Sequence, residues 1–172
     1  MPLIRLICMC LLPSLLIACA ADPFARPKTP VPTPAALVDA SEPDPISDMA
    51  WRYGEARWAR DQLGDPIIHA SLGQAPYTIE FFGCDQGRDC KDLRFVAHAN
   101  LGEQISKQKL VWQVSDWNRE RRFGKAVMTE DGGLCLEMNV TLQGGVTRQN
   151  LDMTFDWWRV ALSEFHTFAS EI

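Results

Sequence analysis

The sequence predicts an α+β domain: a helix, three antiparallel strands, a second helix, a two-stranded hairpin and a closing helix. Three stretches carry that expectation. Over 134–142, Leu134, Leu136, Met138, Val140 and Leu142 alternate with Cys135, Glu137, Asn139 and Thr141, the period-two pattern of a strand with one buried face. Over 148–169, Leu151, Phe155, Trp158, Leu162 and Phe165 recur at helical spacing. Residues 110–128, LVWQVSDWNRERRFGKAVM, run from the apolar side of a helix (Leu110, Val111, Val114, Trp117) through a basic turn into a strand. Trp117 is the pivot of that stretch, because an indole at a helix end is a large apolar body with one N–H to satisfy. Asn118 beside it suits a left-handed cap.

The chain has 172 residues, enough for one domain with a real core. Its hydrophobic content of 47% and charged content of 23% are ordinary globular values. A net charge of −5 speaks against a nucleic-acid partner. All six Trp fall in the part assigned to the folded domain.

Residues 1–18 read as an export signal, with Arg5 as the only charge and an apolar run after it that Pro13 interrupts. That run is too short to span a bilayer comfortably. It ends in Leu16-Ile17-Ala18-Cys19, which resembles the lipobox of bacterial lipoproteins, with Cys19 as the acylated new N-terminus. Ala18-Cys19-Ala20 also fits an ordinary cleavage site before Ala21. The first reading gives a periplasmic protein anchored by lipid, favouring the outer membrane; the second gives a soluble periplasmic one. Residues 19–46 follow as a tether whose prolines, in TPVPTP and EPDP, exclude helix and sheet ladder.

The folded domain is expected over 47–172. Ser47-Asp48 can cap a helix reaching Leu63, with Trp51, Trp58 and Leu63 on one face and Gly64 as its stop. Strands follow over 66–71, 76–82 and 92–99. In the second, Tyr77, Ile79 and Phe81 alternate with Thr78 and Glu80. The second helix covers 102–117. Glu130-Asp131-Gly132-Gly133 then joins a strand over 125–129 to the one over 134–142. Thr147 can cap the closing helix, on which Met153, Trp157, Val160, Ala161 and Phe168 add a second apolar stripe.

The motifs point away from chemistry. His69, His98 and His166 lie on different elements without metal-ligand spacing, so no metal, cofactor or general base is expected. Glu130-Asp131 is explained by the hairpin tip, and the Gly-Gly pairs lack the surroundings of a phosphate loop. Ser71, Ser106 and Ser163 have no nucleophile elbow. Arg119, Arg121 and Arg122 solvate a turn or hold an anion. In an exported protein, Cys84 and Cys90, closing the loop Asp85-Gln86-Gly87-Arg88-Asp89, are natural disulfide partners, leaving Cys135 unpaired. A zinc site would need two further ligands that the neighbourhood does not offer.

GC-x5-C between two strands, then D-WN-x3-RFGKAVM, then L-x-LE-M-N-V-x-L-x-GGV and a final helix carrying DWW and F, resembles the YbjN domain family over about 51–168. The resemblance implies a fold like that of type III secretion chaperones, in the same element order that the pattern gives. It implies very little about activity: family members are labelled as regulators of bacterial sensory transduction, and the fold analogy points to protein binding. The expected function is therefore a non-enzymatic protein- or peptide-binding domain tethered in the bacterial envelope. The alternative is a structural or stress-related envelope lipoprotein acting within an assembly. Met153, Trp157, Ala161 and Phe168 are the expected partner surface, for another protein or a second copy.

Overall fold

A computed structural model describes residues 36–99, 101 and 105–172. Cys19, the export signal and residues 19–35 of the tether lie outside them. The described chain forms α1 (Asp44–Trp51), β1 (Ala56–Arg60), β2 (Pro66–Leu72), β3 (Ala75–Phe82), β4 (Asp92–Ala99), α2 (Lys107–Glu120), β5 (Lys125–Met128), β6 (Leu134–Thr141) and α3 (Arg148–Glu171). The six strands make one sheet in the order β1-β2-β3-β4-β6-β5, with antiparallel neighbours throughout.

The α+β class and the alternation of helices with strands agree with the sequence reading, with one strand more ahead of the second helix. The helix expected over 47–63 is a correction. It begins at Asp44 and stops at Trp51, and residues 56–60 are a strand paired with β2. Glu55, Ala56, Arg57, Ala59 and Arg60 favour helix by propensity, but ladder pairing overrides so weak a preference. Gly54 makes the turn between them feasible: a Cβ there would sit 1.9 Å from the Ser71 carbonyl oxygen. Trp51 and Leu63, expected on a buried face, are 62% and 87% exposed.

Packing also starts before Ser47. Val38 exchanges backbone hydrogen bonds with Val146, and Val38, Ala40 and Ile46 are buried. The second helix starts at Lys107, where the Ser106 hydroxyl accepts from the Lys109 N–H. Thr147 likewise caps α3, accepting from the Asn150 N–H.

Alternation along the strands separates the sheet's two faces. Ile68, Ile79, Phe95 and Met138 are direct cross-strand neighbours on the covered face, and all are buried. α3 lies against that row. Phe95 meets Phe155 edge-on at 5.2 Å and Trp158 at 5.4 Å, and Trp158, Phe155 and Phe165 are fully withdrawn from solvent. Fully burying one such side chain is worth roughly 1.5–3 kcal/mol, so this seam is a large contribution to the domain's stability. The opposite face carries Glu80, Arg94, Asn139, Glu137 and Lys125, with Arg94 donating to Glu80 at 2.6 and 2.9 Å.

Cys84 and Cys90 form a disulfide, with Cα atoms 3.8 Å apart. Gln86, Gly87 and Asp89 take positive φ, which folds the intervening residues into a tight loop. That loop lies on the β1–β2 turn, where the Arg60 guanidinium donates to both the Gly64 and Gly87 carbonyls, at 2.6 and 3.0 Å. Cys135 is a buried free thiol; burial, and then Glu137, push its pKa up, so it is not activated as a nucleophile.

Candidate partner-binding surface

The corner where α2 turns into β5 is built from consecutive residues with distinct tasks. Trp117, the last buried residue of α2, packs on Phe165 and Phe168 at 5.9 and 5.0 Å, and its indole N–H donates to the Gly124 carbonyl at 3.2 Å. This meets the demand of a buried indole at a helix end. Asn118 is not the left-handed cap expected of it. It remains helical, and its side-chain amide grips Ala126 on both sides, Oδ1 accepting the Ala126 N–H at 2.9 Å and Nδ2 donating to the Ala126 carbonyl at 3.0 Å. β5 is a terminal strand, so the amide takes the place of a neighbouring strand at that residue.

Gly124 then lets the strand run close beneath α3. Its φ is +71°, and a Cβ there would meet Leu136 Cδ1 at 2.9 Å and the Ala161 methyl at 3.3 Å. Ala161 is therefore buried, a correction to its place on the expected partner surface: a helical wheel puts it beside Trp157, but the sheet comes up against it. Phe168 is half-buried on Trp117. Met153 and Trp157 remain, 48% and 41% exposed.

Trp157 has a partner that periodicity did not supply. Phe123 stacks on it with centroids 4.6 Å apart and planes 28° from parallel. The Arg122 guanidinium lies over the Phe123 ring, 5.1 Å from its centroid. Arg121 reaches α3, its Nε 2.7 Å from Glu164, and covers the Trp117 ring at 4.9 Å. Phe123, Trp157, Val160 and Glu164 line a notch of about 160 Å³, beside a shallower depression containing Asn118, Lys125 and Asn139. Of the three turn arginines, Arg119 and Arg121 are committed to carboxylates, and Arg122 shows no ion pair among the described residues. The signal for this site in the sequence is the RRFG run, whose local pattern shows only a turn entering a strand.

The other candidates stay apart. His69 and His98 sit on the solvated sheet face and His166 is on α3. Among the described residues, no group of three or more His, Cys, Asp or Glu is placed to hold a metal ion. Asp131 is tied to its own hairpin by Thr129 and Gly133, which hold its carboxyl below the usual range. What the corner offers is an apolar aromatic step bordered by positive charge, an arrangement that suits recognition.

A family model covers residues 47–171, with members described as "putative bacterial sensory transduction regulator". No curated protein matches the chain.

Proposed function

The chain belongs to the YbjN family, and from that premise we propose that it is a non-enzymatic regulatory domain that binds another protein or peptide at the α2–β5 corner. The observation that carries the reading is the stacked Phe123–Trp157 pair, left open to solvent beside Arg122. Exposed Trp and Arg side by side are the residue types that dominate binding energy at protein interfaces. An apolar side chain of the partner enters the notch, and its carboxylates meet Arg122 and Lys125. In this reading the domain works at the bacterial envelope, held by lipid on Cys19; the Leu16-Ile17-Ala18-Cys19 sequence supports the anchor. Firm retention requires more than one acyl chain, which a fully acylated cysteine supplies. Cys19→Ser should then release the protein from the membrane fraction, and recovery of wild-type protein beginning at Ala21 would refute the anchor.

Trp157→Glu tests the surface. The substitution should abolish cross-linked capture of the partner from envelope fractions while leaving the far-UV circular dichroism and the cooperative thermal transition of the domain intact. Undiminished capture of the same protein by a folded variant sinks the reading. A variant that unfolds makes Trp157 part of the core and removes the case for this surface.

A further inference from the structure

The sheet has two terminal strands, and they end differently. β5 has its outer groups at Ala126 satisfied by Asn118. Among the described residues, β1 carries no comparable cover. The Ser71 N–H donates to the Glu55 carbonyl, and Glu55 continues the β1 register one step beyond Ala56↔Ala70. In an antiparallel ladder, bonded and non-bonded pairs alternate. Arg57 and Ala59 therefore bond β2, and the N–H and C=O groups of Ala56, Trp58 and Arg60 face away from the sheet. Among the described residues, none of these outward backbone groups makes a backbone hydrogen bond outside the sheet. The strand is exposed along its length from Arg57 to Arg60, with Trp58 39% exposed and Trp51 beside it 62% exposed. Five residues with an open edge make a template for another strand.

We propose that the occupant is a second copy of this chain, paired β1 to β1 across a two-fold axis at Trp58. The sequence of the edge, Ala56-Arg57-Trp58-Ala59-Arg60, selects that register. It is the one antiparallel alignment that pairs all three outward-facing residues, Trp58 with Trp58 and Ala56 with Arg60 of the copy. Arg57 then stands opposite Ala59 of the copy. Each arginine thus faces an alanine, so no two arginines stand opposite each other within the strand. Glu55 meets Asp61 one step further out, where Arg57 lies diagonal to Asp61 and offsets the charge.

The side chains already leave the edge clear. Arg60 is turned back onto the Gly64 and Gly87 carbonyls, and Asp61 Oδ1 accepts from the Leu63 and Asp65 N–H groups of its own turn. The Trp58 indole N–H is held by Asp44 at 2.6 Å, which keeps the ring on the α1 side of the sheet. Two such rings meet on one face of the joined sheet, the cross-strand aromatic pairing that stabilises antiparallel ribbons.

Site-specific disulfide trapping on the full chain tests the register. Facing residues of a bonded antiparallel pair have Cα atoms about 5.5 Å apart, inside the range a disulfide accepts. Trp58→Cys under mild oxidation should give a covalent dimer, with peptide mapping showing residue 58 linked to residue 58. Arg57→Cys alone should not link to itself, because its diagonal spacing of about 7–8 Å is too long. Mixed with Ala59→Cys, it should give a 57–59 link. Ala56→Pro removes one outward N–H without touching the β2 ladder, and it should turn a dimeric mass in light scattering into a monomeric one with unchanged circular dichroism. A wild-type chain that is monomeric across a dilution series overturns the proposal. So does a folded Ala56→Pro dimer, or a link at 57–57 without one at 58–58. Should Ala56→Pro unfold, the linkage pattern still decides.

Discussion

Asn118→Asp should make the domain's stability depend on pH in a way the wild type's does not. The Asn118 amide gives and takes one hydrogen bond at Ala126, at 3.0 and 2.9 Å. A net protein hydrogen bond contributes about 0.5–1.5 kcal/mol, and because Asn118 is exposed and water can replace it, the lower end applies, giving about 1 kcal/mol for the pair. Asn118→Leu should cost that amount at every pH. With a urea slope of about 2 kcal/mol per molar, its midpoint falls by about half a molar. An aspartate keeps the bond from the Ala126 N–H but sets an oxygen against the Ala126 carbonyl, so at pH 7 it should cost at least as much as leucine. Protonation restores a donor to that oxygen. The protonated form is thus favoured in the folded state, and the carboxyl's folded pKa lies above its unfolded value of about 3.9. A group raised on folding contributes stability that is fully present below the unfolded pKa and is lost as pH rises through the folded one. Relative to wild type, the aspartate variant should therefore recover between pH 7 and pH 4, while the leucine variant should not. Urea titrations followed by tryptophan fluorescence at both pH values measure this. Parallel pH dependence of the two variants would show that the amide does not hold the strand edge.

Gly54→Ala should cost more than about 3 kcal/mol or prevent folding, since its Cβ would meet the Ser71 carbonyl at 1.9 Å and backbone on both sides has to move; soluble yield and thermal midpoint report it. Replacing Cys84 and Cys90 together by Ala should lower stability by about 2–2.5 kcal/mol, the loop-closure value for a bridge spanning 6 positions; an unreduced digest of the wild type showing both cysteines as free thiols would remove its basis. Tyr53 donates to Asp152, and burial with that carboxylate raises its pKa from 10.0 to about 12. The stability it contributes is present below pH 10 and is lost as pH rises toward 12, so Tyr53→Phe, which keeps the ring on Phe155 at 5.4 Å, should show a shallower alkaline fall in melting temperature than wild type.

The elements legible in the sequence are those whose burial pattern is local. β6 and α3 each present an uninterrupted apolar period, and Trp117 announced a helix end because an indole there has to be packed and satisfied at once. β1 was misread because its strand character is not in its residues. Glu55 to Arg60 have helical propensity and become a strand only because Gly54 allows close approach to Ser71 and β2 offers a ladder. The same reason explains Ala161. Its position on the wheel next to Trp157 is correct, but its burial depends on Gly124, a residue far away in sequence that lacks a Cβ. That Phe123 stacks on Trp157 follows from the register of β5 under α3, which no short-range pattern records.

Terminal strands are a hazard to any open sheet, and the different treatment of the two in this domain bears on how the reading at the corner and the pairing at β1 fit together. The amide clamp at Ala126 blocks the outer edge of β5 at that residue, so the corner is suited to recognise a partner through side chains, which is what Phe123, Trp157 and Arg122 are placed to do. β1 offers main chain and little side-chain relief, which suits an identical strand better than a varied partner. The two edges lie at opposite ends of six strands. Joined at β1, two copies would carry their corners on the order of 50 Å apart at the strand spacing of a sheet, too far for one to obstruct the other. Self-pairing would then leave both recognition surfaces free, and a partner with two docking segments would gain from the second without any new contact.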